Sequence, residues 1–265
     1  MSFWEAIVLA IIEGLSEFLP ISSTGHIILG SSLLNMNTAD PFLKLFTVAI
    51  QLGAILSVLV LYFKRFFQHI DFYFKLLVAF IPAVVFGLLF SKKIDQLLES
   101  PMGVAIALLV GGIILLFVDR WFKDGEIDQT DDISYATALK IGLFQCLSMI
   151  PGTSRSAASI VGGMSQKLSR KVAAEFSFFL AVPTMFGATA KKLYDFYKEG
   201  YVITPQELKI LAIGNIVAFI VALLAIRFFI TFLQKRGFRL FGWYRIIVGL
   251  FIITLLLSGH QLNVV

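Results

Sequence analysis

Glu13-Gly14-Leu15-Ser16-Glu17-Phe18-Leu19-Pro20-Ile21-Ser22-Ser23-Thr24-Gly25-His26 interrupts an apolar run at residues 3–34. The half-runs on either side are each shorter than the ~20 apolar residues that a spanning helix needs. The break itself is polar. Irregular backbone at membrane depth survives only where protein buries it or where it lines a wet cavity. The stretch therefore reads as a re-entrant helix–loop–helix hairpin. Residues 135–165 repeat the pattern: an apolar run carrying Gln145 breaks at Pro151-Gly152-Thr153-Ser154-Arg155-Ser156.

Around these two regions the chain reads as membrane protein. Of its 265 residues 58% are hydrophobic and 15% charged, with a mean hydropathy of +0.88. Ordinary soluble domains carry about 25% charged residues, so this composition could not cover itself in water. Six stretches are long enough to span, at roughly 42–63, 72–91, 101–120, 171–193, 208–233 and 240–258. Lys64-Arg65, Lys92-Lys93, Pro101 and Lys235-Arg236-Gly237 separate them, and the acidic segment 123–132 divides the chain in two. The net charge of +5 belongs to loop cations that set membrane orientation and is not a nucleic-acid footprint. Cys146 is the only cysteine, which excludes an internal disulfide. The opening Met-Ser-Phe-Trp-Glu has no basic n-region and does not read as a cleaved signal peptide.

Gly14-Leu15-Ser16-Glu17-Phe18-Leu19 aligns with Gly142-Leu143-Phe144-Gln145-Cys146-Leu147. Each match is followed within a few residues by a proline and a Ser/Thr/Gly loop, and three spanning helices follow each hairpin. An odd number of crossings inverts the second copy, which predicts an inverted-topology repeat with its site at the repeat interface. The expected fold is thus all-α and polytopic: one membrane domain over 1–265, with repeats at 1–122 and 133–265. The cation-rich side carries Lys64, Arg65, Lys75, Arg120, Lys123, Lys140, Arg227, Arg239 and Arg245, among others. The other side carries Lys44, Lys92, Lys93, Lys191, Lys192, Lys198 and Lys209. The first side is then cytoplasmic and both termini lie outside. The hairpins enter from opposite faces, and their polar tips meet inside.

Glu13 and Glu17 are four apart and share a helix face. Carboxylates inside apolar segments are costly and face a cavity or a partner, which suits a general base or a divalent-cation site. The alternative is a pair snorkelling to water. Ser22-Ser23-Thr24-Gly25-His26 packs three hydroxyls, a permissive glycine and an imidazole together. A hydroxyl beside a base starts an activated nucleophile, and loop amides can hold phosphate oxygens. A plain helix cap is the competing reading. Arg155 offers a planar, permanently charged fork to phosphate, or a structural ion pair to one of the glutamates. Gln51 and Asn215 are polar within spanning runs. Interhelical hydrogen bonding explains Asn215 best, while Gln51 also suits a cavity wall.

The signature from Glu13 to His26 resembles that of the undecaprenyl-diphosphatase family, also called bacitracin-resistance proteins. Pro151 to Ser156 resembles the second family signature, and Glu175-Phe176-Ser177-Phe178-Phe179-Leu180-Ala181-Val182-Pro183 is similar to a further family stretch. Ala157 departs from the family, which usually has glycine there. The resemblance implies hydrolysis of undecaprenyl diphosphate to undecaprenyl phosphate and inorganic phosphate. That reaction recycles the lipid carrier of envelope polymers and gives bacitracin resistance. It also implies a divalent cation, Mg²⁺ or Ca²⁺, which on the reading of the residues Glu13 and Glu17 help to hold. Ser23 or His26 would attack the terminal phosphorus, with Glu17 as base or orienting the nucleophile, and direct attack by water stays open. Arg155 would act on the phosphates together with Ser22, Thr24, Gly25, Thr153, Ser154, Ser156 and Gln51.

The expected location is the bacterial plasma membrane, with the site facing its extracytoplasmic side. The expected partners are the lipid diphosphate and the bilayer, with a homodimer left open. Inverted repeats with broken helices are also a transporter architecture, so a flippase of undecaprenyl phosphate is the rival class. A phosphatidic-acid-type phosphatase wants a second histidine and an aspartate soon after its arginine. Arg155 is followed instead by Ser-Ala-Ala-Ser-Ile-Val-Gly-Gly.

Overall fold

The computed structural model describes residues 1–63, 70–98, 100–123, 125–260 and 262. The Lys64-Arg65 separator and Asp124 lie outside the described residues, as does the side chain of Lys92. Among the described residues the chain is helical, and its β-pairing is one isolated bridge between Ile127 and Leu168. Two short helices, α1 (Phe3–Ser16) and α2 (Ser23–Leu33), precede three long ones, α3 (Pro41–Leu61), α4 (Ile70–Leu98) and α5 (Pro101–Trp121). The order then repeats. The short α6 (Tyr135–Gln145) and α7 (Arg155–Ser165) precede the long α8 (Arg170–Lys198), α9 (Pro205–Arg236) and α10 (Arg239–Leu257).

Among the described residues six helices are long and apolar enough to cross a membrane: Pro41–Leu61, Ile70–Phe90, Pro101–Trp121, Arg170–Lys198, Pro205–Arg236 and Arg239–Leu257. Their starts follow local chemistry. Asp40 accepts from the Phe42 amide ahead of Pro41, Ser100 from the Gly103 amide ahead of Pro101, and Thr204 forms a capping box with Glu207 ahead of Pro205. A side-chain cap contributes ~1 kcal/mol, and proline at the first helical position loses no hydrogen bond. Pro82 and Pro183 sit inside α4 and α8, as neighbouring helices allow in membrane proteins.

Packing crosses between the two sets of helices. α1 lies on α9 and α6 lies on α4, while α3 meets α8 and α5 meets α10. Small residues let backbones touch, which is how helices associate without a hydrophobic drive in lipid. A Cβ at Gly14 would stand 2.7 Å from the Ala218 carbonyl oxygen on α9, and one at Gly142 would stand 2.0 Å from the Ala79 carbonyl oxygen on α4. Both obstacles are backbone and cannot swing away. Gly142→Ala is therefore expected to destabilise the fold by about 1–3 kcal/mol, read as earlier thermal unfolding in detergent. An unchanged midpoint would disprove the close α6–α4 approach.

Asn215 behaves as interhelical glue. Its side-chain oxygen accepts the Gly53 amide of α3 at 2.8 Å, and its own amide bonds Leu211 on α9 at 2.9 Å. The cation count from the sequence needs two corrections. Lys75 is buried, bonding Asp71 and the Asp131 carbonyl. Arg245 is 0% exposed and is not a loop cation at all. Both lie inside helices whose packing, invisible in the sequence, turns them inward.

Candidate active site

Both short-helix pairs end in tight turns that meet one another. After Ser16 the chain keeps one further α-residue, Glu17, and then turns through Phe18–Ile21. Proline at 20 cannot continue the helix without losing an amide donor, so the turn forms there. Ser22 then takes φ +69°, and Ser154, at the equivalent place before α7, takes φ +74°. Positive φ is uncommon for residues other than glycine, and such strain gathers at functional sites. The Ser154 hydroxyl accepts the Ala157 amide and caps α7. Ser22 makes no side-chain cap bond to α2. Two helix N-termini thus face one region, each with amides suited to an anion.

Glu17 is the centre of the cluster. It is 8% exposed. Its Oε2 accepts from the Ser23 hydroxyl at 2.8 Å, and its Oε1 pairs with Arg155 Nη2 at 3.1 Å. The first bond joins a hydroxyl to a base within one hairpin. The second joins the two hairpins. Arg155 Nη1 donates to the Ser177 carbonyl at 3.0 Å and reaches the Ser177 hydroxyl at 3.4 Å. Its guanidinium carbon lies 5.6 Å from the centre of the Phe18 ring. The Ser177 hydroxyl is also 2.6 Å from Ser159 Oγ. The second tip grips the first through Ser156, which donates to the Leu19 carbonyl at 2.8 Å and lies 3.1 Å from Ser154 Oγ.

Two buried polar atoms here have no hydrogen-bond partner among the described residues. Glu13 is 1% exposed and its Oε1 accepts no hydrogen bond, although its carboxyl couples electrostatically to Glu17 and Arg155. Arg155 Nε is likewise a buried donor with nothing to donate to. Leaving such groups unsatisfied costs about 1–3 kcal/mol each. An orphan acceptor on the first hairpin and an orphan donor on the second suit a ligand that brings both a cation and anionic oxygens.

His26 stands to one side. Its Nδ1 lies 2.7 Å from the Ser22 carbonyl, which only accepts, so Nδ1 carries a proton. Its Nε2 lies 2.7 Å from the Tyr244 hydroxyl on α10. Both ring nitrogens are therefore engaged, and in this arrangement His26 has no free lone pair. Thr24 and Thr153 are half-buried at the two tips, and Gly25 packs against Leu108. Gln51 is half-buried on α3. The side chains of Thr24, Thr153 and Gln51 make no hydrogen bond to the cluster among the described residues.

Ser177, Phe18, Tyr244 and Arg245 contribute contacts that sequence reasoning did not single out. Ser177 had one signal, a small hydroxyl amid phenylalanines in the Glu175–Pro183 stretch. Arg245 had another, a cation six residues inside an apolar run.

Comparison with known proteins identifies the family. The chain is 65% identical over 265 residues to an undecaprenyl-diphosphatase of Flavobacterium psychrophilum, covering 100% of both chains. It is 52% identical over 284 residues to one of Porphyromonas gingivalis and 49% identical over 267 residues to one of Bdellovibrio bacteriovorus, again covering 100% of both chains in each case. The family model described as bacitracin resistance protein BacA matches residues 6–251, which contain both turns, the Glu17–Arg155 pair, the first five long apolar helices and most of the last. A match of that extent, around a site assembled from both hairpins, makes the chain a member of the bacitracin resistance protein BacA family.

Proposed function

We propose that the protein hydrolyses undecaprenyl diphosphate to undecaprenyl phosphate and inorganic phosphate, returning the lipid carrier to peptidoglycan and envelope-polymer synthesis and so conferring bacitracin resistance. The observation that carries this reading is the chain Ser23–Glu17–Arg155, a hydroxyl, a base and a phosphate-matching cation joined by bonds of 2.8 and 3.1 Å. The name shared by the full-length relatives supplies the substrate.

The terminal phosphate binds Arg155 and the free first-turn amides of α2 and α7. As it draws the guanidinium, Glu17 is freed to take the Ser23 proton. The Ser23 oxygen forms a bond to phosphorus while the bond from phosphorus to the bridging oxygen breaks, releasing undecaprenyl phosphate. Water then hydrolyses the phosphoserine. Ser23 is preferred over His26 because Ser23 already bonds its base while both His26 nitrogens are engaged.

Mg²⁺ is commonly held by one or two carboxylates together with substrate phosphates. Among the described residues there is no cluster of three or more acidic, histidine or cysteine ligands. The orphan Glu13 Oε1 beside Glu17 nevertheless fits such an open site. Glu13 and Glu17 would hold Mg²⁺ or Ca²⁺, which when bound neutralises phosphate charge.

The hairpins are read as re-entrant, within an inverted-topology repeat in the bacterial plasma membrane, with the site open to the extracytoplasmic side. Three likenesses support the repeat: the crossed packing of α1 on α9 and α6 on α4, the matched close approaches at Gly14 and Gly142, and the matched positive φ at Ser22 and Ser154.

Purified protein in detergent should release phosphate from undecaprenyl diphosphate with Mg²⁺ present, stop when a chelator is added, and resume when the metal is restored. Folded protein that releases none with either cation would remove the hydrolase reading and bring lipid translocation forward. Metal-independent release would remove the cation site alone.

A further inference from the structure

Among the described residues Arg245 is the largest fully buried side chain. Its guanidinium has five N–H donors, and five backbone carbonyls surround it. Nη1 bonds Pro20 at 3.3 Å and Thr153 at 2.9 Å; Nη2 bonds Gly152 at 2.9 Å and Ala107 at 3.2 Å; Nε bonds Leu108 at 3.3 Å. No carboxylate is among these partners. The carbonyls come from three places: the first tip, the second tip and α5. Space for the head group is cut into α5 at Gly111, where a Cβ would lie 2.2 Å from Nη2 and 2.8 Å from the guanidinium carbon.

We propose that Arg245 is a positioning residue for phosphoryl transfer, a buried guanidinium that locks the two hairpin tips into the register at which Ser23, Glu17 and Arg155 meet. The inference rests on the hydrolase reading of that cluster. Burying a cation without a carboxylate is expensive, and intramembrane charge of this kind marks function rather than filling.

The placement of the bonds gives the role its direction. They hold the peptide groups just before Ser154-Arg155 and just before Ile21-Ser22, the residues that lead into α7 and α2. A trans peptide sets its N–H opposite its carbonyl. Fixing the Thr153 carbonyl on Arg245 therefore fixes where the Ser154 amide points, beside Arg155. The neighbouring Tyr244 holds His26 Nε2 at 2.7 Å, so residues 244 and 245 together tie α10 to both N-termini. A lysine at 245 has three donors on one centre and no planar fork, and it cannot hold five carbonyls from three segments.

The test compares Arg245→Lys and Gly111→Ala with wild type on undecaprenyl diphosphate and Mg²⁺, measuring kcat per folded molecule, KM and the thermal midpoint. Gly111→Ala leaves every site side chain in place and displaces only the guanidinium. Leu233→Ala, a core change on α9 outside the cluster, serves as a control for lost stability. Both test variants are expected to lower kcat at least about tenfold, because misplacement near 1 Å costs about a hundredfold, with KM changed less than kcat. Each should also be non-additive with Ser154→Ala, whereas Leu233→Ala should keep its kcat.

Retention of kcat within threefold by either folded test variant would overturn the proposal. So would unfolding of both, or kcat losses matched by Leu233→Ala at equal midpoint, since Arg245 would then be a brace for stability alone. An inactive wild type would instead refute the hydrolase reading, and the two failures are told apart by that first arm.

Discussion

Glu17→Gln is expected to lower phosphate release by about 10³-fold, within the 10²–10⁴ that a positioned general base supplies. The substitution keeps the shape of the side chain and an oxygen that accepts from Ser23. What it removes is the capacity to take the Ser23 proton and the negative charge that faces Arg155 in the 3.1 Å pair. With Mg²⁺ raised to saturate the cation site that Glu13 alone would then serve, binding of the anionic substrate should survive or tighten, because Arg155 no longer has an internal competitor. The expected pattern is a collapsed kcat with an unchanged or lower KM.

Ser23→Ala separates two forms of the chemistry. If Ser23 is the nucleophile, its loss should match that of Glu17→Gln, and an acid-stable phosphoserine should be trapped in wild type. If Glu17 activates water directly, no intermediate accumulates and Ser23→Ala keeps a larger share of activity. A Glu17→Gln enzyme within tenfold of wild type would remove Glu17 from the role of base.

The helices and the two breaks were legible because they depend on local facts. Pro20 and Pro151 each fall within a run of turn-forming and hydroxyl residues that breaks the helix, unlike Pro82 and Pro183, which lie inside long helices, and six long apolar runs need no tertiary information. Glu17 and Ser23 were legible together because one short hairpin holds both. Arg155 could be placed opposite the glutamates because a lone intramembrane cation demands an anionic partner, although the same logic left open which carboxylate would take it. The structure chooses Glu17 and leaves Glu13 with a vacant oxygen.

What could not be read depends on three-dimensional packing across the chain. Arg245 lies 92 residues from Thr153 and 225 from Pro20. Its position near the start of an apolar run looked like that of an ordinary loop cation. Tyr244 and Ser177 carry no charge, so the desolvation argument that exposed Arg155 was silent about them. His26 was legible as a polar residue of the loop. Its engagement by Ser22 and Tyr244, which weakens its claim as nucleophile, needed coordinates.

Arg155→Met is expected to lose most activity, about 10²–10³-fold, as removing one preorganised charge-stabilising donor does elsewhere. It should also destabilise the fold, because it leaves the Glu17 charge buried without its cation, a change that costs about 3–5 kcal/mol where the partner stays ionised. These two effects have different causes, and the double variant Glu17→Gln with Arg155→Met pulls them apart. With both charges gone, the Glu17–Arg155 ion pair is removed from the interior, and Met places an apolar side chain toward Phe18 and Met185, which the guanidinium faces now. Replacing a buried ion pair with neutral groups of similar volume is often neutral or stabilising. The double variant should therefore unfold near the wild-type temperature and still release no phosphate. A pair that served only to join the hairpins would behave in the opposite way, with stability and activity returning together. Recovery of phosphate release in the double variant would thus reduce Glu17–Arg155 to a structural tie, and the orphan Arg155 Nε would need another explanation than a phosphate oxygen.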